Sequence, residues 1–374
     1  MGMTWKLAAS TMLASGFSWP DTVSPTRLGI GLIPFMNLDA EAVDATVRRA
    51  LDLGWNVVDF SRVYGSAVEK AQHLLRPERE QLFLAGKVYA RHAERAREHL
   101  EGLLRGFGTD HFDLLSLHDV SSREEFDLVM GEGGAMELLR EAKQKGQALR
   151  LGMTGHWPPA LLHAAESEEF DAITGPLNPC CLENLGIMQR AAAAGKMVLA
   201  IKTLGNGRIF GPEPLGAVGE AEITPADSLQ FVLSQGCVTT AVVGCKSPDE
   251  VSQANEAAMN NLDVHGKAQI QEMGFELLAG LCGFCHAPCQ AVCEPGVPIQ
   301  YILRRWRNFE RINYDIRRLG DEYDLLRINS TACTDCGRCE AVCPASLDIT
   351  GRLKAAHDTL ADGRRKVAFL EDNW

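Results

Sequence analysis

The chain has 374 residues, 46% of them hydrophobic and 23% charged, with 49 acidic against 37 basic side chains and a formal net charge of −12. That balance lacks the basic footprint that nonspecific nucleic-acid binding requires, and no apolar run approaches the ~18 residues that span a bilayer. The length suits two domains, or one large domain with an appendage.

Residues 1–24 read as a lead-in segment. A weakly apolar stretch at 7–17 follows a single Lys6, without a twin arginine or a small-x-small cleavage site. It is therefore not expected to be a signal peptide, and the expected compartment is the cytoplasm. From Arg27 onward, short apolar runs alternate with helical segments at a spacing of roughly 30 residues. The runs cover 28–32, 55–60, 82–86, 112–117, 149–153, 172–175, 197–201 and 240–243. Helical segments between them include 40–53, 93–106, 136–145, 182–194 and 225–235. Eight strands alternating with helices predict an α/β fold, a (β/α)₈ TIM barrel over residues 25–262. An open doubly wound sheet is the alternative, disfavoured because no strand leads into Gly-x-Gly-x-x-Gly.

After residue 262 the strand pattern stops, and 263–374 reads as a small, mostly α-helical, ferredoxin-like domain. A helix around 267–280 leads into Cys282-Gly-Phe-Cys285-His-Ala-Pro-Cys289-Gln-Ala-Val-Cys293. A second run follows, Cys333-Thr-Asp-Cys336-Gly-Arg-Cys339-Glu-Ala-Val-Cys343-Pro344. Its thiols stand two, two and three residues apart before a proline, the bacterial run that ligates [4Fe–4S] clusters. Two intervening residues let a loop wrap one cubane face, and the fourth cysteine of such a run serves the neighbouring cluster. The reading is two cubanes with crossed ligation, one on Cys282, Cys285, Cys289 and Cys343, the other on Cys333, Cys336, Cys339 and Cys293. Zinc sites are the lesser alternative, and disulfides fit poorly in a chain with a large core. His286 reads as a loop residue.

Between the two runs, Ile302, Trp306, Phe309, Ile312 and Ile316 recur at helical spacing within an arginine-rich segment. The expectation is an amphipathic helix packed over the clusters; the alternative is that Arg304, Arg305, Arg307 and Arg311 steer an acidic electron-transfer partner. The tail from about residue 351 reads as helical.

Active sites of such barrels sit where the strands end. Reading those ends gives Asp59, Lys87 and His118 on three successive strands, with Tyr64 in the loop after Asp59. A phenol with a pKa of about 10 is a poor acid near neutrality unless a cation stabilises its phenolate. Lys87 can be that cation, Asp59 can hold Lys87, and His118 can hydrogen-bond a carbonyl under reduction.

The motifs Val-Val-Asp59-Phe-Ser-Arg-Val-Tyr64-Gly, Ala-Gly-Lys87, Ser-Leu-His118, Ile201-Lys-Thr-Leu-Gly-Asn-Gly207-Arg and Val-Val-Gly244-Cys-Lys-Ser-Pro, joined to both cysteine runs, resemble the aldo-keto reductase superfamily. The likeness is to its branch with a C-terminal ferredoxin-like [4Fe–4S] domain, and it covers nearly everything beyond residue 25. It implies a catalytic tetrad of Asp59, Tyr64, Lys87 and His118, with Tyr64 as general acid and base. It also implies hydride exchange with NADPH across the barrel mouth, held by Thr154, Lys202, Gly205, Gly207, Arg208, Gly244, Lys246 and Ser247. The Gly205–Arg208 loop would offer N–H groups and a cation to phosphates. Four places depart from the family. Its Ser-Asn pair after the fifth strand reads Thr154-Gly155, its glutamine on the sixth reads Thr174, and its stacking aromatic reads Ile201. An asparagine usual near the phosphate segment stands one place late, at Asn255.

Cys237 and Cys245 read as small buried apolar residues, Cys180-Cys181 as packing at the rim, and His156 as a pocket-lining residue. Two functions follow. One is an oxidoreductase of small carbonyls or alcohols whose clusters pass electrons to or from a ferredoxin or another electron-transfer protein. The other is an electron-transfer or redox-sensing subunit with a degenerate, weakly catalytic barrel.

Overall fold

The computed structural model describes residues 23–120, 123–156, 158–207, 209–210, 222–260, 262–277, 282, 288–312, 319–320, 323–324 and 326–371. Most of the lead-in segment, Arg208 and Cys285 therefore lie outside the described residues. The chain divides into two compact units, Met1–Gly207 with Ile223–Gln271, and Arg208–Glu222 with Glu272–Trp374.

The first unit is a closed barrel of eight parallel strands, each paired with its neighbours in sequence and the last with the first. They are β1 Leu28–Gly31, β2 Val57–Ser61, β3 Phe83–Val88, β4 Leu114–Leu117, β5 Leu151–Thr154, β6 Ala172–Pro176, β7 Met197–Ile201 and β8 Thr240–Val243. Seven of the eight strands are buried throughout, and only Ile201 at the end of β7 is half-exposed. This is why they read in sequence as continuous apolar runs rather than alternating ones. Around them run α1 Ala40–Asp52, α2 Ser66–Leu75, α3 Ala93–Phe107, α4 Arg123–Met130, α5 Ala135–Gln144, α6 Pro158–Glu166, α7 Leu185–Ala193, α8 Pro225–Leu233 and α9 Pro248–Met259. α1 starts where the Asp39 carboxylate accepts from the Ala42 N–H, and α8 where Thr224 and Asp227 form a reciprocal capping box. The apolar faces of the helices cover the strands, with Trp55, Phe60, Phe107 and Phe112 fully buried between the layers. Phe60, Phe107 and Phe112 pack ring against ring at centroid distances of 4.3–6.1 Å.

The strands begin and end a residue or two from the sequence expectation. The 112–117 run contributes strand only from Leu114, because Phe112 pairs with Ala148 in an isolated bridge ahead of the ladder. The Asn255 side-chain oxygen accepts from the Trp55 indole N–H at 3.1 Å.

From α10, Val264–Leu277, the chain enters the second unit. There α11 Pro288–Ala291 and α13 Arg338–Ala341 are single turns inside the two cysteine runs, while α12 Ile299–Ile312 and α14 Ile349–Glu371 are long. The Trp306 indole on α12 donates to Thr359 on α14 at 3.2 Å. The Tyr323 hydroxyl accepts from the Ser330 N–H and lies 2.8 Å from His357 Nδ1. Among the described residues no helix is long and apolar enough to cross a membrane.

Candidate active site

The barrel register brings the tetrad together. On β2 the side chain of Asp59 faces inward, and Ser61, one residue pair further, stands opposite Lys87 on β3. Lys87 stands opposite Ser116 on β4, so His118 emerges just past the end of that strand. Its N–H donates to the Val88 carbonyl at 3.0 Å, extending the ladder by one residue. Tyr64 ends the single 3₁₀ turn Arg62–Tyr64 that follows β2.

All four side chains are shielded, Lys87 at 2% exposure, Asp59 at 4%, and Tyr64 and His118 at 8%. Lys87 Nζ lies 2.5 Å from Asp59 Oδ1 and 3.5 Å from the Tyr64 hydroxyl, and 5.3 Å from the centre of the Tyr64 ring. The Tyr64 and His118 rings meet edge to face at 5.7 Å, and Tyr89 meets His118 from another side at the same distance. Burial pushes the Lys87 ammonium below its ordinary value, opposed by the adjacent Asp59 carboxylate. Burial likewise raises Asp59, opposed by Lys87. Asp59 Oδ2 has no hydrogen-bond partner among the described residues, which leaves that desolvation uncompensated on one side.

The β4 and β5 ends are locked to each other. Asp119 has a left-handed backbone, φ 56°. Its N–H donates to the Thr154 hydroxyl at 2.8 Å, and the Val120 N–H donates to the Thr154 carbonyl at 2.8 Å. The Arg91 guanidinium holds the His118 and Asp119 carbonyls at 3.1 and 2.9 Å and is itself paired with Glu125. Asp119, 1% exposed, pairs with His156 Nδ1 at 2.8 Å. The sequence marked His156 but not Asp119 or Arg91, because such cross-loop partners leave no trace in spacing. A Cβ on Gly155 would stand 2.3 Å from the Val120 carbonyl oxygen, so a larger residue has no room there.

The residues expected to touch nucleotide lie at the same strand ends. Thr154 closes β5 and is buried. Lys202 follows β7 with φ 52°, and its carbonyl accepts from Asn178. The Gly205 and Gly207 N–H groups donate to the Lys202 and Leu204 carbonyls, so this turn spends on itself donors that sequence alone leaves available. Gly244 follows β8, and the exposed Lys246 precedes Ser247, whose hydroxyl caps the N-terminus of α9 by accepting from Glu250. An ammonium beside a helix N-terminus favours phosphate, against which stand Asp249 and Glu250 in the first turn, the latter accepting from the Lys246 N–H at 2.7 Å. Cys245, 1% exposed, has its thiol pushed up to about 12 by burial.

In the second unit, a recess is lined by Cys293, Cys333, Cys336 and Cys339 and walled by apolar side chains including Val297 and Leu353. These are the four thiols that crossed ligation assigns to one cubane; Cys343 does not line it. Cys282 is half-buried and Cys289 buried. Arg304 and Arg305 do not face outward as a docking surface needs: each is 5% exposed, and the Arg305 guanidinium lies 5.1 Å from the Tyr301 ring centre. The side chains of Arg307 and Arg311 lie outside the description.

The aldo/keto reductase family model matches residues 27–217, and a 4Fe-4S dicluster domain model matches residues 281–347. Methylglyoxal reductase DkgB of Salmonella typhimurium is 26% identical over 213 residues, covering 53% of this chain and 76% of that protein. Its namesake from Escherichia coli O157:H7 is 25% identical over 250 residues, covering 62% and 88%. Among solved structures, aldo-keto reductase AKR11C1 from Bacillus halodurans superposes with a TM-score of 0.57 at 18% identity, covering 70% of this chain and 95% of that one. The glycerol dehydrogenase AKR11B4 from Gluconobacter oxydans gives the same TM-score and identity over 70% and 94%. The likeness to these two structures is one of fold. The chain belongs to the aldo/keto reductase family, as an NAD(P)H-dependent oxidoreductase whose barrel is followed by a 4Fe-4S dicluster domain.

Proposed function

We propose that the barrel exchanges hydride between NADPH and a small carbonyl or alcohol, with Tyr64 as general acid and base, and that two [4Fe–4S] clusters relay electrons to or from a partner protein. The observation that carries the reading is Lys87 lying between Asp59 at 2.5 Å and the Tyr64 hydroxyl at 3.5 Å. In reduction, the Tyr64 O–H gives its proton to the substrate oxygen as the carbonyl carbon gains hydride. The phenolate left behind is stabilised by the Lys87 ammonium, and Asp59 keeps that ammonium charged against the pull of burial. His118 hydrogen-bonds the substrate oxygen, and the rings of Tyr64 and Tyr89 fix its plane. In oxidation the same groups act in reverse, with Tyr64 receiving the proton.

Bound at the mouth, NADPH supplies the hydride. Lys246 and the α9 N-terminus form the phosphate end, and the Thr154 hydroxyl, which accepts from Asp119, keeps its own proton to donate to the carboxamide. When bound, the clusters supply one-electron exchange, one of them on Cys293, Cys333, Cys336 and Cys339 and the other on Cys282, Cys285, Cys289 and Cys343. The altered carboxamide and stacking positions, Gly155, Thr174 and Ile201, favour a second reading, an electron-transfer or redox-sensing subunit with a weakly catalytic barrel. Turnover of a short oxo-aldehyde decides between them. Methylglyoxal is the first compound to try, since it names the substrate of the similar reductases. Loss of that turnover in Tyr64→Phe supports the first reading, and undiminished turnover overturns the Tyr64 assignment.

A further inference from the structure

Ser61 carries a role that the tetrad does not include. Side chains alternate along β2, so Ser61 shares the inward face of Asp59 two residues earlier. The register sets it beside Lys87, and its hydroxyl is wholly buried, with no solvent to compete for its single proton. Two groups flank that hydroxyl, His118 Nδ1 at 2.8 Å and the Lys87 carbonyl oxygen at 3.2 Å. An O–H···O bond normally spans about 2.5–3.0 Å, so the carbonyl lies past the ordinary reach while Nδ1 lies within it.

We propose that Ser61 is a positioning residue for His118: its O–H donates to Nδ1 and so fixes the neutral imidazole as the Nε2–H tautomer. The consequence rests on the reading that His118 hydrogen-bonds the substrate oxygen. A carbonyl oxygen only accepts, so a neutral His118 assists reduction only if Nε2 carries the proton. Were the Ser61 proton given to Lys87 instead, Nδ1 would hold the imidazole hydrogen and Nε2 would present a lone pair to another lone pair. A serine here thus spares His118 from having to be a cation to do its work.

The test is the ¹⁵N spectrum of the full chain labelled at histidine, at alkaline pH and without substrate, with the His118 signals identified by their loss in His118→Gln. The expected result is a protonated Nε2 and a bare, hydrogen-bonded Nδ1 in the wild type. Ser61→Ala should move the Nδ1 signal and lower kcat for carbonyl reduction about tenfold, the loss of one hydrogen bond in the transition state, while KM for NADPH holds. Ser61→Thr, which keeps the hydroxyl, should restore both. A wild-type spectrum showing protonated Nδ1 overturns the proposal and needs no variant to fold; so does an Nδ1 signal unmoved in Ser61→Ala. Because the tautomer is read without turnover, full activity in Tyr64→Phe would remove the proposed mechanism and leave this result standing.

Discussion

Lys87 Nζ and Asp59 Oδ1 lie 2.5 Å apart with only 3% and 5% of the two side chains exposed. A buried pair of this kind is costly to form and costlier to break, since removing one member strands the other charge away from water. Stability alone does not account for such a pair; in the proposed mechanism its task is to hold the Lys87 ammonium beside the Tyr64 hydroxyl.

Asp59→Asn should therefore destabilise the protein by about 3–5 kcal/mol at neutral pH, measured by urea denaturation. The Lys87 contribution to the pH dependence has a definite sign, opposite to that of Asp59, whose raised value acts at lower pH. Burial holds Lys87 below the free-lysine value, so between the folded and unfolded pKa the native state binds fewer protons and stability rises with pH. Asp59 opposes that downward shift, so its loss lowers the folded value further. In the variant, the rise in stability should begin at lower pH than in the wild type. An unchanged onset would contradict the pairing.

Single thiol replacements should separate the two clusters. Cys293 lines the recess with Cys333, Cys336 and Cys339, whereas Cys343 does not. Cys293→Ser should remove about four irons per chain and the spectroscopic signature of the recess cluster. Cys343→Ser should spare that cluster and disturb the other. Iron content and electron paramagnetic resonance check this, and the reverse pattern would mean that each run ligates its own cluster.

Gly155→Ala should lower stability by about 1–3 kcal/mol, because the added carbon meets the Val120 backbone oxygen rather than a movable side chain. Thermal unfolding measures it. A neutral result would show that the β4 loop can lift from β5.

Lys246→Met should weaken NADPH binding about tenfold or more, the worth of a charge-assisted hydrogen bond, with kcat little changed. Fluorescence titration with NADPH checks this, and unchanged affinity would place the phosphates elsewhere.

The barrel was legible because its strands are buried on both faces and its helices carry apolar stripes, patterns that survive in a single sequence. Asp59, Lys87 and His118 were legible because strand ends define the rim. The links among them were not. Ser61 reads as a strand residue until β2, β3 and β4 are in register, and Asp119 reads as a loop residue until its left-handed backbone turns it to His156. The Gly205–Gly207 turn looked open for phosphate because sequence does not show that its N–H groups close on their own carbonyls. For the arginines of α12 the sequence leaves a docking face open as the alternative to a packed helix, because helical spacing alone does not say which side is covered; Arg304 and Arg305 are buried.

The role of Tyr64 is tested most directly by NADPH-dependent reduction of methylglyoxal by the cluster-replete wild type and by Tyr64→Phe, side by side and without oxygen. The wild type should show measurable reduction and the variant a loss of at least about a hundredfold in kcat, the scale of general acid catalysis, with NADPH affinity unchanged. Equal rates in the two proteins would contradict the role given to Tyr64.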